Sequence, residues 1–222
     1  DEGRGIDVTQ QVTITSQLTD ACDDLHALDP QRGITKGVLA LRHGGDRQGT
    51  WLAFSPGEMP SITLTGDGSR LRQVITNIVG NIHRYTPSDS PVEVALSMLH
   101  ASITPQQLAH LSSNAKGLTS FLEAAEVGQS VQSGMLYVVI RFSDHGPGVP
   151  EASQSQIFER FYTANPSRAR QKGGTGLGMA IAQSVVKAHH GLISATTTPG
   201  GGLTLTVVLP IDPNQTRTPM QR

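Results

Sequence analysis

Residues 173–186 read Gly173-Gly174-Thr175-Gly176-Leu177-Gly178-Met179-Ala180-Ile181-Ala182-Gln183-Ser184-Val185-Val186, a glycine-rich turn that opens directly into a helix. Glycine takes positive φ freely and lets the backbone approach a ligand closely. The first turn of a helix leaves its N–H groups unpaired and carries partial positive charge. Together these features form an anion site, most naturally for phosphates. Taken alone, the run is a weak signal, and a glycine-rich helix start that binds nothing is the alternative. The segments upstream decide between the two.

The chain has 222 residues and a formal net charge of −1, so it lacks the basic surplus of a general nucleic-acid binder. Its single cysteine, Cys22, excludes an internal disulfide framework and fits a reducing compartment. No apolar run approaches bilayer-spanning length. The opening Asp1-Glu2-Gly3-Arg4-Gly5 is no signal peptide and reads as a cut inside a longer protein. Glycine is abundant, at 24 residues, and aromatics make up 4%, which suits a loop-rich α/β domain rather than a bundle.

Leu18, Ala21, Cys22, Leu25 and Leu28 recur at helical spacing and stop at Asp29-Pro30, predicting a helix over 15–28. Strands are expected at Val38 to Leu41, Ile62 to Leu64, Pro91 to Met98 and Leu136 to Phe142. Gly66-Asp67-Gly68-Ser69 leads into a helix over Arg70 to Tyr85, halted by Thr86-Pro87. Ser143 to Pro150 reads as a turn, Ile157 to Tyr162 as a short aromatic segment, and 163–172 as a polar loop. The glycine-led helix is expected to reach His190, followed by a hairpin of Leu192 to Thr197 and Leu203 to Leu209. The polar tail, 212–222, is expected to be disordered.

On a helical wheel of 70–85, Leu71, Val74, Ile75, Ile78 and Ile82 share one face. Arg70, Asn77, Asn81 and Arg84 gather on the neighbouring face, within an arc of roughly 60°. Amides compete for backbone bonds and are poor helix-interior residues, so two at i and i+4 suggest a pocket wall, although a solvated polar face remains open. The segment Asp144-His145-Gly146-Pro147-Gly148 follows a strand. Asp144 can accept a hydrogen bond from an exocyclic amine while Gly146 and Gly148 let the backbone close in; an ordinary surface turn is the alternative. Phe158 and Phe161 read as core anchors. Arg168, Arg170 and Lys172, just before the glycine turn, suit either a basic lid over phosphates or a solvated loop.

In this order the segments resemble one family. RLRQVITNIVGNIHRYTP (70–87) looks like the N-box of sensor histidine kinases, DHGPGVP (144–150) like their first glycine box, IFERFY (157–162) like the F-box, and GGTGLGMAIAQSVVKAHHG (173–191) like the second glycine box. The resemblance covers Gly66 to Pro210. It implies the Bergerat ATP-binding fold of the GHKL superfamily: an α+β, two-layer α/β sandwich with a mixed sheet covered on one face by helices. It implies a catalytic domain over 6–211, with 1–5 as the end of a preceding helical hairpin.

The resemblance also assigns roles. Asn81 is similar to the asparagine that holds Mg²⁺, and Asn77 to the one a turn earlier. Arg84 stands where the family contacts phosphate, Tyr85 resembles the aromatic near the adenine, and Asp144 the aspartate that binds the adenine amino group. Gly174, Thr175, Gly176, Leu177 and Gly178 resemble the triphosphate-binding turn. The implied ligands are ATP and Mg²⁺. Gyrase- and chaperone-type relatives carry a water-activating glutamate where this chain has Asn77, which favours transfer of the γ-phosphoryl to another nucleophile. In the family that nucleophile is a histidine on a dimerisation hairpin, which relays the phosphoryl to a response regulator. The full-length protein is then expected to be a homodimer in the bacterial cell membrane, with this domain in the cytoplasm. None of the eight histidines stands in the family's phosphoacceptor pattern. His26, His83, His189 and His190 read as structural or surface residues without metal-ligand spacing. A nucleotide-binding module without kinase activity and a serine-directed, anti-sigma-type kinase are the competing readings.

Residues 99–135 depart from the family, which joins these strands by a short hairpin. Thr104-Pro105-Gln106-Gln107 reads as a helix start, and Leu118, Phe121, Leu122 and Ala125 recur at helical spacing. Because Tyr85 precedes the first strand and Asp144 follows the second, the insertion is expected at the end away from the nucleotide.

Overall fold

The computed structural model describes residues 10–40, 50–53, 61–101, 135–163 and 175–211. In chain order the elements are β1 (Gln11–Thr13), α1 (Ile14–Leu28), β2 (Ile34–Ala40), β3 (Thr50–Ala53), β4 (Thr63–Thr65), α2 (Gly68–Tyr85), β5 (Val92–Ala101), β6 (Met135–Asp144), α3 (Gly178–Ala188), β7 (Leu192–Thr197) and β8 (Leu203–Ile211). Two 3-10 turns, Glu151–Ser153 and Gln156–Phe158, lie between β6 and α3.

Six strands form one mixed sheet in the order β3-β2-β5-β6-β8-β7. Only β2 and β5 run parallel; the other pairs are antiparallel. Side chains alternate between the faces of a strand. Accordingly Val138, Ile140 and Phe142 of β6, with Val207 and Leu209 of β8, share one buried core with Leu18 of α1, Ile75 and Ile78 of α2, and Ala182 and Val186 of α3. The result is the expected α+β two-layer sandwich. Tyr137, Val139 and Val208 alternate with those core residues and are buried as well, and burial pushes the Tyr137 phenol up to about 12. A separate two-stranded pair, β1 with β4, carries the chain into α1 and back towards α2.

The sequence pattern explains α2 most fully. Its apolar stripe buries Leu71, Val74, Ile75, Ile78, Val79 and Ile82. Asp67 caps its start, its Oδ1 accepting from the Ser69 and Arg70 N–H groups at 3.1 Å each, a bond type that contributes about 1 kcal/mol. The helix ends where Pro87 disfavours helical backbone at Thr86, which is extended at φ −96, ψ 135. Helix α3 braces the opposite end of α2. His189 is buried; its Nδ1 donates to the Val185 carbonyl at 2.8 Å and its Nε2 accepts the Asp67 N–H at 2.9 Å. Because the partners are a carbonyl and an N–H, the ring serves as donor and acceptor at once, the neutral form. His189→Phe keeps a ring but removes both side-chain hydrogen bonds, the one to the Val185 carbonyl and the one from the Asp67 N–H, so a loss of about 1–3 kcal/mol is expected, seen as a lower denaturation midpoint. An unchanged midpoint would contradict this bracing role.

Several boundaries differ from those expected. β1 and β3 are strands the sequence pattern did not mark, each too short to show a period. β2 starts at Ile34 rather than Val38 because its parallel register with β5 begins there. Ser143 and Asp144 belong to β6, not to the turn, because they pair with Glu93 and Val92. Helix α3 stops at Ala188, where His190 turns left-handed (φ 56) and the Gly191 N–H closes onto Val186 O at 2.9 Å. Leu99, His100, Ala101 and Met135 are strand residues, so the insertion narrows to 102–134, which lies outside the described residues, as do 1–5 and 212–222. Ala101 pairs with Met135 and Val92 with Asp144. The strand ends that flank the insertion, Ala101 and Met135, therefore lie about 30 Å along the sheet from Asp144 at about 3.4 Å per residue.

Candidate functional site

The neighbouring face of α2 lines a cavity of about 540 Å³. Asn77, Asn81, Arg84 and Tyr85 all reach it, together with Gly80, and each of these is half-buried. Arg70, on the same arc by spacing, does not line it; its Nη1 donates to Gln73 Oε1 at 3.3 Å. Asn77 is committed to the fold: its Nδ2 donates to the Gly178 carbonyl at 3.0 Å and so ties the wall to the first residue of α3.

Asp144 closes the other end of the cavity from the last position of β6 and is 8% exposed. Its Oδ1 accepts the Gly146 N–H at 2.9 Å. Gly146 does not line the cavity, but a Cβ there would stand 3.0 Å from Asp144 Oδ1 and 3.1 Å from Thr86 Oγ1. Its lack of a side chain therefore lets the carboxylate lie beside the end of α2. Gly148 does line the cavity, at φ +68. Behind Asp144, Ser143 Oγ meets Thr204 Oγ1 at 2.9 Å, and Thr204 Oγ1 meets Thr198 Oγ1 at 2.9 Å. Gly202, in the β7–β8 turn, lies so close that a Cβ on it would overlap the Asp144 carbonyl oxygen.

The glycine turn forms the third wall. Thr175, Gly176 and Gly178 line the cavity; Leu177, the N-cap residue of α3, does not. Gly176 needs to be glycine twice over. It has φ +68, and a Cβ would come within 2.7 Å of the Phe161 backbone carbon. Phe161 is not a core anchor. It is 71% exposed and left-handed at φ 64, because its N–H is drawn onto the Gly176 carbonyl at 3.0 Å. Phe158 is buried in the core as expected. Arg168, Arg170, Lys172 and Gly174 lie outside the described residues.

The cavity thus runs along α2, from the glycine turn at Asn77 to the Asp144 loop at Thr86. The helix advances about 13 Å over that distance. One end offers Asp144 as a hydrogen-bond acceptor for an amine, and apolar Ile157, Met179, Leu203 and Leu205 also line the cavity. The other offers glycine backbone and the half-buried amides. The sequence pattern missed Thr86, which lines the cavity, and Gly202, which supports it. Thr86 had a signal, standing next to Tyr85. Gly202 had none, since it meets Asp144 only through the fold. Among the described residues no group of three or more metal-ligating side chains converges. No helix among them is long and apolar enough to cross a membrane.

Residues 66–213 match the family described as histidine kinase-, DNA gyrase B-, and HSP90-like ATPase. The chain is 32% identical over 212 residues to the signal transduction histidine-protein kinase BaeS of Escherichia coli, covering 88% of this chain and 37% of that one. It is 31% identical over 201 residues to the probable sensor histidine kinase TcrY of Mycobacterium tuberculosis, covering 84% and 34%. It thus spans about a third of the length of these relatives. In fold it is similar to the mycobacterial sensor histidine kinase MprB, with a TM-score of 0.58 at 19% identity over 91% of this chain and 97% of that one. The ATP binding domain of PrrB from Mycobacterium tuberculosis gives 0.53 at 21% identity over 93% and 99%. With two glycine segments and an asparagine-bearing helix walling one cavity, and with that match spanning most of its length, the chain belongs to the histidine kinase-, DNA gyrase B- and HSP90-like ATPase family.

Proposed function

We propose that residues 6–211 form the catalytic, ATP-binding domain of a sensor histidine kinase. It would transfer the γ-phosphoryl of ATP to a histidine on a separate dimerisation hairpin, for relay to a response regulator. The observation that carries this is the chemistry at position 77. Among the described residues lining the cavity, Asp144 is the one carboxylate, and it sits at the amine-accepting end. Asn77 has its amide on Gly178 O and cannot take a proton from water at neutral pH. A site that holds a triphosphate without activating water suits delivery to an outside nucleophile.

In this reading Asp144 and Tyr85 receive the adenine, with Gly146 shaping and Gly148 bounding that end. Thr175, Gly176 and Gly178 present backbone to the phosphates, with Leu177 and Gly174 completing the turn. Arg84, with Arg168, Arg170 and Lys172, supplies positive charge. The residues fit Mg²⁺: Asn81 lines the cavity, and an amide oxygen is the hard ligand this ion takes alongside phosphate oxygens. When bound, the ion would neutralise phosphate charge. The chain's own residues position the nucleotide and exclude water. The relatives are named as histidine kinases, which favours a histidine acceptor. A homodimeric full-length protein anchored in the membrane, with this domain in the cytoplasm, is part of the same proposal and rests on the family resemblance.

With γ-labelled ATP and the protein's own histidine-bearing hairpin added in trans, acid-labile phosphate on that hairpin is expected. Asn81→Asp sets a negative charge beside the phosphates and should slow labelling by about a hundredfold or more. Labelling at the unaltered rate would contradict the role of Asn81. Acid-stable phosphate would point to a serine acceptor.

A further inference from the structure

The end of α1 and the end of α2 meet at a buried Asp29–Arg32 ion pair, which the exposed His83 joins from α2. Asp29 is the C-cap residue of α1, and Arg32 follows three residues later. Arg32 is only 2% exposed. Its Nη2 and Nε donate to Asp29 Oδ2 at 2.6 and 3.1 Å. Its Nη2 also donates to the Thr86 carbonyl at 3.2 Å and its Nη1 to the Ser90 carbonyl at 3.4 Å. His83, on α2, brings Nδ1 to the same Asp29 oxygen at 2.8 Å. Burial alone would push the Asp29 carboxyl up, but the hydrogen bonds from His83 and Arg32 and the Arg32 charge outweigh it and hold the carboxyl below its ordinary value.

A buried guanidinium is costly unless its donors find partners, so its direction is informative. Here it grips the helix end that lines the cavity. Thr86 closes α2, its N–H on Ile82 O at 3.0 Å, and follows Arg84 and Tyr85 directly. The last carbonyls of a helix have no partner within it, and a cation there also complements the helix dipole. Neither Asp29 nor Arg32 lines the cavity.

We infer that Arg32, held by Asp29, is a positioning residue for nucleotide binding. It fixes the last turn of α2 so that Arg84, Tyr85 and Thr86 face the nucleotide, and it couples that turn to the end of α1. This rests on the cavity being the nucleotide site.

The test is calorimetric titration with a non-hydrolysable ATP analogue and Mg²⁺, at a temperature where melting curves show each protein folded. Arg32→Met should weaken binding about tenfold. Arg32→Lys, which keeps the charge but loses the fork, should weaken it less. Arg72→Met is the control: it removes the exposed 2.9 Å Arg72–Asp20 pair, which also joins α2 to α1, and should leave affinity unchanged. A role in stability alone would lower the melting temperature of Arg32→Met and leave the affinity of the folded protein intact, which overturns the inference. If neither Arg32 variant folds, the unaltered protein decides by NMR. The Arg32 Nε–H resonance should move on saturation with the analogue, and a resonance that stays in place overturns the inference. Failure of the unaltered, folded protein to bind overturns the nucleotide reading itself, and this inference with it.

Discussion

Asp144→Ala should weaken binding of a non-hydrolysable ATP analogue roughly ten- to a hundredfold, equivalent to the ~1.5–3 kcal/mol of a hydrogen bond to a charged group. The carboxylate ends β6, where the ladder with Val92 fixes its backbone, and one of its oxygens takes the Gly146 N–H. The acceptor capacity that remains is available to an exocyclic amine. A guanine nucleotide presents a carbonyl where adenine presents that amine. The unaltered protein should therefore prefer the ATP analogue over the GTP analogue, and Asp144→Ala should lose most of that preference. The fold should survive, because the backbone pairing of Asp144 does not need its side chain. A folded Asp144→Ala protein with full affinity would remove the basis for placing the base at this end of the cavity.

Gly202→Val should impair the same site from far away in the chain. At φ +113 Gly202 occupies backbone space that L-residues rarely adopt, and a Cβ there would overlap the Asp144 carbonyl oxygen. Strain of this kind costs about 1–3 kcal/mol, and relief requires the β7–β8 turn to move off the Asp144 segment. Analogue affinity should fall at least as far as in Asp144→Ala, together with a lower melting temperature. Gly200→Ala is the matched control. It also has positive φ, at +87, but nothing lies within 4 Å of its Cβ position. It should lose about 1 kcal/mol of stability and keep its affinity. Full affinity in a folded Gly202→Val protein would show that this turn does not hold Asp144 in place.

These two positions mark what the sequence could and could not reveal. Asp144 was legible because a carboxylate after an apolar strand and before two glycines is a local pattern. The same holds for α2, whose apolar stripe and amide stripe both arise from the helical period, and for the glycine turn. Gly202 and Arg32 were not legible. Each acts through a contact set by tertiary packing, Gly202 on Asp144 and Arg32 on Thr86, and neither stands within a local motif. Phe161 was misread for a related reason. Its aromatic ring suggests core, yet the Gly176 carbonyl holds its backbone left-handed and turns the ring to solvent. Asn77 was read correctly as part of the wall, but its bond to Gly178 appears only once α3 is folded against α2.

The most direct test is calorimetric titration of the unaltered domain with a non-hydrolysable ATP analogue, once with Mg²⁺ and once with a chelator. Binding at one site per chain, tightened by Mg²⁺, is the result expected of a cavity walled by Asn81, Asp144 and the glycine turn. No binding by a folded domain under either condition would contradict the assignment of that cavity to ATP.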